Sequence, residues 1–575
     1  MTPPDGQWAP ERASAAYDRG VTPAATAQTA SPEAPEIAPQ RAADQDGADR
    51  NPADTPGSAS KLGGVADVVR RRLLPFEARL DPYSWLATAV IVAIAGILRL
   101  VNLNKPKGLI FDEVYYPTDA WDLLQHGVEW DEKSNGPAYV VHPPLGKWMI
   151  ALGEQVLGYN EWGWRISGAV IGTLSVLILV RVARRMFHST VLGCAAGLLM
   201  ALDGFHLVLS RIALLDIFLM FFILAAFGAL VMDRDHRRNR WLQALENGLD
   251  PNVPGRAGRL PVGVPWWRLF AAVLLGCALA VKWSALWFVP VFGLLIVLWE
   301  VGARRSAGVR RPWRDTFIGE IGWLVLCGVL VVVTYLASWT GWFVTDDGYF
   351  RHWLADTGHS EPPFIGALRN LWHYHVEAFR FHEGLDDKHQ YQSWPWQWLL
   401  LGRPIAFYWS TDGTCGASSC ASHILLLGTP LLWWSFIPAL GALAWFGIAR
   451  RDWRAAAILL SVAAGLLPWF YFATQGRTMF AFYALPAEPF LILAVVYVLG
   501  AIMTPARSAV TSDEAVASGP PGDTAVDRRL IGAVIAGAYV LLVAVCFAYF
   551  YPIYVGQVIP YEDWSARMWL GGRWI

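Results

Sequence analysis

Two adjacent carboxylates open the polar stretch that follows the first long apolar run, in Phe111-Asp112-Glu113-Val114-Tyr115-Tyr116. Further along the same stretch comes His142-Pro143-Pro144-Leu145-Gly146-Lys147. A carboxylate beside a reacting hydroxyl can take its proton, and fixed cations can hold a phosphate. More charges stand at the ends of later apolar runs: Ser210-Arg211-Ile212-Ala213-Leu214-Leu215-Asp216, Val281-Lys282-Trp283-Ser284, Gln475-Gly476-Arg477-Thr478 and Glu488. A charge at the bilayer centre costs about 2.5–3.5 kcal/mol. Asp216 and Glu488 therefore need partners, for which Arg211, Lys282 and Arg477 are the candidates. Taken singly, these residues have ordinary explanations. Arg211 and Lys282 suit headgroup anchors, Asp203 a helix cap, and Trp283 an interfacial aromatic belt. Those explanations do not account for cations and carboxylates converging on one face.

The elements that must position them are membrane helices. Of 575 residues, 55% are hydrophobic and only 16% charged, with mean hydropathy +0.34; soluble chains carry about 25% charged residues. Apolar runs of about 20 residues match the thickness of a hydrocarbon core, where backbone groups must be satisfied within a helix. The chain reads as an all-α polytopic membrane protein with about eleven spans: 84–103, 166–183, 190–208, 212–232, 266–281, 284–302, 317–341, 424–448, 455–472, 480–503 and 530–551. The pairs within 190–232 and 266–302 have outer turns of only a few residues. Arginine clusters at 70–72, 181–185, 234–240, 304–311 and 450–454 all fall on one side of this arrangement. The positive-inside rule makes that side the cytoplasm. Loop one (104–165), the second large loop (342–423) and the tail at 552–575 then lie outside. Residues 1–60 lack an apolar stripe and read as a disordered cytoplasmic tail; 511–524 read as a flexible linker. No signal peptide precedes the first span, which serves as its own insertion signal.

Four cysteines lie in apolar spans. Cys415 and Cys420 bracket a Gly/Ala/Ser loop outside, where an oxidising compartment permits a disulfide. The second large loop carries Trp372-His373-Tyr374-His375, Phe381-His382-Glu383-Gly384 and His389-Gln390-Tyr391-Gln392-Ser393-Trp394-Pro395-Trp396. Its histidines match no metal-ligand spacing, so no metal or other cofactor is assigned. Nothing points to nucleic acid.

The Phe-Asp-Glu-Val-Tyr-Tyr, His-Pro-Pro-Leu-Gly-Lys and Ser-Arg-x-x-Leu-Leu-Asp motifs resemble those of the protein O-mannosyltransferase family. Val-Lys-Trp-Ser, the Tyr-His…Phe-His…Gln-Tyr-x-Ser-x-Pro-Trp-x-Trp string and Arg-x-x-x-Phe-x-Tyr at 477–483 extend the match over roughly 84–575. The resemblance implies a GT-C glycosyltransferase fold, a polyprenyl-phosphate-mannose donor, and Ser/Thr hydroxyls of secreted proteins as acceptors. It also implies the plasma membrane and an association with the secretion translocon. The second loop is too short for the MIR domain of eukaryotic members, so the chain looks like the bacterial form; Gln390 stands where a proline is common. Together, resemblance and residues suggest an inverting displacement in which Asp112 is the base and Glu113 orients the acceptor amide or donor hydroxyls. Arg211, helped by Lys282 or Arg477, would hold the leaving phosphate, with His142, Lys147 and Asp216 completing the substrate-binding set. Two rivals stay open: a related lipid-phosphate-sugar transferase acting on a lipid or cell-wall glycan, and a lipid-linked sugar transporter. The second predicts charges through both leaflets and internal repeats, neither of which the sequence displays.

The orientation has a direct test. With the outer barrier permeabilised, cysteines placed in loop one and a tag after Ile575 should react with impermeant reagents on intact cells. Ser306→Cys should react only once the inner membrane is broken. The reverse pattern would invert the topology.

Overall fold

A computed structural model describes residues 67–74, 81–253, 260, 263–504 and 524–575. The tail expected at 1–60 and nearly all of the linker expected at 511–524 lie outside these residues. The helices used below are α1 (Pro82–Leu100), α2 (Tyr116–His126), α3 (Leu145–Leu157), α4 (Glu161–Phe187), α5 (Thr190–Ala201), α6 (Gly204–Leu209), α7 (Asp216–Glu246) and α8 (Trp266–Val281). They continue with α9 (Phe288–Ser306), α10 (Pro312–Ser338), α11 (Ile365–Glu383), α12 (Pro430–Arg450), α13 (Trp453–Thr474), α14 (Glu488–Met503) and α15 (Thr524–Val555). Among the described residues, nine helical segments are long and apolar enough to cross a membrane, while α5 and α8 are apolar but shorter. The protein is a multi-pass, mostly helical membrane protein.

The differences from the expected spans have local causes. Twelve residues of α5 extend only about 18 Å at 1.5 Å per residue, so the run expected at 190–208 is not one helix. It breaks at Asp203, whose Oδ2 caps α6 by accepting from the Phe205 and His206 N–H groups at 3.1 and 3.2 Å. Its Oδ1 accepts from the Thr429 N–H at 2.7 Å and from the Trp433 indole at 3.0 Å. Gly204 is obligatory there, since a Cβ would lie 2.2 Å from the Tyr554 ring and 2.6 Å from the Leu427 carbonyl. Span eight starts at Pro430 rather than 424, because Cys420–Leu426 forms strand β2, antiparallel to β1 (Ile405–Ser410). A third strand, β3 (Ile559–Pro560), pairs with the start of β2 and docks the C-terminal tail onto the second loop. Trp574, buried in that tail, donates its indole N–H to the Leu401 carbonyl at 2.7 Å. Cys415 and Cys420 form a disulfide.

The fourth span overruns its expected end at 232 and continues to Glu246. Arg234, Arg237 and Arg238 therefore sit on a helix, not in a loop. Arg237 pairs with Glu300 and Glu320, both at 2.6 Å. Arg268 reaches Asp233 (2.8 Å), Glu320 (2.7 Å) and Glu300 (3.0 Å). Arg304 meets Glu300 at 2.5 Å and Glu320 at 2.7 Å. Three guanidinium groups thus neutralise three carboxylates where α7, α8, α9 and α10 meet, all of them buried. Buried charges persist only when paired in this way.

Removing one member leaves the others uncompensated. Arg268→Met should lower stability by about 3–5 kcal/mol, read as a lower melting temperature of the detergent-purified protein. An unchanged melting temperature would mean that the network is dispensable.

Candidate functional site

The loop after α1 is held by one ion pair. Arg165, in the second turn of α4, donates from Nε to Glu113 Oε1 at 2.8 Å and from Nη2 to Oε2 at 2.7 Å. Its remaining N–H groups reach the carbonyls of Leu103 (3.3 Å), Pro106 (2.8 Å) and Gly108 (3.0 Å). Glu113 also accepts from the Ile110 N–H at 3.2 Å and the Ala213 N–H at 3.0 Å. Neither side chain has any exposed surface. Glu113 therefore cannot contact a substrate, contrary to the expectation above. It positions the single 3-10 turn Phe111–Val114.

In that turn Phe111 has φ of +49°, a left-handed conformation that costs a non-glycine residue roughly 1–2 kcal/mol. Its ring is pinned 4.6 Å from Phe407 and 6.4 Å from Phe482. The neighbouring Asp112, half-buried, interacts with the buried charges of Lys282 and Asp216. Burial pushes its carboxyl up to about 7, opposed by Lys282 and reinforced by Asp216. Lys282 Nζ pairs with Asp216 Oδ2 at 2.7 Å, both buried, and lies 5.7 Å from the Phe482 ring centre. Asp216 Oδ1 is buried without a hydrogen-bond partner among the described residues. Glu488 meets none of the three expected cations and lies instead within electrostatic reach of Arg99 and Asp203.

Three more groups complete the cluster. Arg477 is buried with its guanidinium 5.4 Å from the Phe472 ring centre, and its Nε and Nη2 have no hydrogen-bond partner among the described residues. Tyr483 interacts electrostatically with Arg477, Asp216 and Asp112. His142 has a buried, unpartnered Nδ1 and lies 5.9 Å from His382 and 6.0 Å from Tyr116, ring to ring. Burial first, then Lys282, His382, Lys147 and Arg477, hold its imidazole well below the usual range, so it is neutral.

Two expected phosphate ligands are engaged elsewhere. Arg211 donates to the carbonyls of Leu98, Arg99, Val101 and Asn102 at 2.8–3.1 Å. It closes the C-terminal end of α1, whose last carbonyls lack helical partners. Lys147 is fully buried in contact with Glu129 and 3.6 Å from Asp119. Arg165 escaped the sequence reading, and Tyr116, Tyr483 and His382 entered it only as motif members without a role. Tyr116 belongs to the Val-Tyr-Tyr motif and Tyr483 to Arg-x-x-x-Phe-x-Tyr, but a tyrosine near aromatic sequence carries no mark of its own. Among the described residues no group of three or more His, Cys, Asp or Glu is placed to hold a metal ion.

The arrangement joins an acid near neutrality to buried cations, one of which has unused N–H donors. That combination can take a proton from a hydroxyl and hold an anionic leaving group.

Known proteins share this framework. Residues 89–249 match the dolichyl-phosphate-mannose-protein mannosyltransferase family, and 367–574 match the C-terminal four-transmembrane region of protein O-mannosyltransferases. The chain is 39% identical over 507 residues to a polyprenol-phosphate-mannose–protein mannosyltransferase of Mycobacterium tuberculosis, covering 84% of this chain and 91% of the relative. It is 34% identical over 509 residues to the protein of the same description in Corynebacterium glutamicum, covering 85% and 93%. The fold matches the S. cerevisiae protein O-mannosyltransferase Pmt1–Pmt2 complex bound to the sugar donor. There the TM-score is 0.62 at 15% identity, over 89% of this chain and 94% of that one.

The Glu113–Arg165 lock is testable apart from the chemistry. Glu113→Gln keeps the shape but strands a buried guanidinium, so melting temperature and activity should both fall. Adding Arg165→Met should restore part of the stability, since the lone charge is gone, without restoring activity. Recovery of activity in the double variant would mean that the lock does not position Asp112.

Proposed function

The chain belongs to the protein O-mannosyltransferase family, and we propose that it transfers mannose from polyprenyl-phosphate mannose to Ser or Thr hydroxyls of secreted proteins at the outer face of the plasma membrane. The observation that carries the chemistry is Asp112, with its carboxyl raised to about 7 beside Lys282 and Asp216. A base with that affinity for protons is half ionised near neutral pH, where general-base catalysis is most effective. Ionised Asp112 takes the proton of the acceptor hydroxyl as its oxygen attacks the sugar C1. The C1–phosphate bond breaks, and polyprenyl phosphate departs from the opposite face. Inversion converts a β-linked donor into an α-linked product.

A lipid phosphate leaves readily, so fixed positive charge is the main requirement. Arg477, with two unpartnered N–H positions, is the first candidate for the phosphate, and Lys282 is the second. Lys282 already neutralises Asp216, so its net field at the phosphate is weaker. Neutral His142 offers a hydrogen bond without adding charge, which suits a sugar hydroxyl. In this reading Arg211 and Glu113 shape the site without touching the donor. The acceptor reaches it from outside while still unfolded, which is consistent with association with the secretion translocon. The mycobacterial and corynebacterial relatives, matched over about nine-tenths of their lengths, are protein mannosyltransferases, which favours a protein over a lipid or glycan acceptor.

Asp112→Asn should reduce mannose transfer to a Ser/Thr peptide by about 10²–10⁴-fold with protein level and donor binding near normal. In the parent, kcat/KM should rise about tenfold per pH unit below 7 and level off above it, because only the ionised base acts. Any activity left in Asp112→Asn should lack that rise. A rate within a few-fold of the parent would remove Asp112 from the role.

A further inference from the structure

The proposed chemistry leaves unused the segment around His389–Trp394, although a cleft opens beside it. Asp386, Lys388, His389, Gln392, Trp394 and Gly476 line about 370 Å³. The walls are stitched to the membrane domain. The Ser393 N–H donates to the Met479 carbonyl at 2.9 Å, and the Thr478 N–H to the Leu385 carbonyl at 3.0 Å. Trp398 donates its indole N–H to the Ser393 hydroxyl at 3.0 Å, and Arg403 donates to the Gln390 carbonyl at 2.7 Å. The cleft is thus a built surface.

An aromatic path runs from it to the residue before Asp112. The His389 ring lies 5.1 Å from Phe480, Phe480 lies 5.3 Å from Phe482, and Phe482 lies 6.4 Å from Phe111, which precedes Asp112. These steps place the His389 ring no more than about 17 Å from that of Phe111, a distance spanned by about five residues of extended chain.

The lining suits neither end of the lipid donor. Asp386 offsets the charge of Lys388, so the lining holds no net positive charge for a phosphate, and the polar walls oppose an isoprenoid. A mixture of donors and acceptors around an indole does match the alternating N–H and C=O groups of an extended polypeptide. His389 contributes a donor, because its Nδ1 accepts from the Tyr391 N–H at 3.1 Å and its proton therefore sits on Nε2. We infer that this cleft binds the acceptor polypeptide in extended form, up to about five residues from the Ser or Thr that receives the sugar. The inference rests on the mannosyl-transfer reading above and adds the subsite that selects acceptors.

The test uses full-length protein in nanodiscs and a labelled peptide with one central Thr and about five residues on either side. Gln392→Ala and the charge reversal Asp386→Lys with Lys388→Glu alter exposed or half-buried positions, so the fold should survive. In the absence of donor, peptide affinity should weaken about tenfold. With polyprenyl-phosphate mannose present, the peptide KM should rise by a similar factor while the donor KM stays within about twofold. N-acetyl-threonine amide, too short to reach the cleft, should show no such penalty. Unchanged peptide affinity in every variant would overturn the proposal. So would a donor KM that moves with the peptide KM, which would assign the cleft to the donor. Displacement of the peptide by methyl mannoside would make it a carbohydrate subsite instead. Weakened peptide binding combined with no mannose transfer by the parent would sink the mannosyl-transfer reading and leave the cleft standing.

Discussion

The Glu113–Arg165 pair is the constraint on which the site depends. It joins positions separated by 52 residues, removes both charges from water, and uses the remaining guanidinium N–H groups to gather three carbonyls of the loop after α1. Charge-assisted, forked hydrogen bonds of this kind fix orientation as well as position. The same carboxylate holds the Ala213 N–H, so the break before α7 is registered against the loop that carries Asp112. That registry, together with the packing of the Phe111 ring on Phe407 and Phe482, offsets the left-handed backbone at Phe111.

The two ends of the helix bundle treat charge differently. Where α7, α8, α9 and α10 meet, three arginines pair with three acids, leaving one Asp233 oxygen without a hydrogen-bond partner among the described residues. In that set the charges cancel three against three, and each arginine meets at least two of the acids. Around Asp112 the balance is incomplete: Arg477 retains unpartnered N–H groups, Asp216 has one unpartnered oxygen, and His142 has a bare ring nitrogen. Buried polar atoms without partners cost about 1–3 kcal/mol each, and a native protein carries several together where a ligand is to supply the missing bonds.

Much of the architecture was legible from hydropathy alone. The apolar runs correspond to the helices because a bilayer leaves the backbone no other partner, and nine segments are long enough to span. The two tightly spaced pairs contained the short helices α5 and α8. In the first pair a capping aspartate interrupts the helix inside apolar sequence, a local event that a sliding average of hydropathy smooths away, whereas the end of α8 at Val281 matches the expected span. The strand Cys420–Leu426 was hidden for a related reason. It is buried at every position, so it shows no alternation and reads like the start of the helix that follows.

The sequence by itself determined the class of protein, the family motifs and the loop that carries Asp112, since all three follow from residue types at short spacing. It also marked Asp203 as a cap and Cys415 and Cys420 as a pair able to bridge. It did not determine which charges remain available. Asp112 and Glu113 are chemically near-identical neighbours, yet one is saturated by Arg165 and the other opens on the cluster. Arg211 stood first for the phosphate and Arg477 as a helper, yet Arg211 closes the end of α1 while Arg477 keeps Nε and Nη2 without a hydrogen-bond partner among the described residues. Whether a charged side chain is free to act depends on what lies opposite it in space. For Glu113 those groups are 52 and 100 residues away, a relation that only the packing of the helices decides.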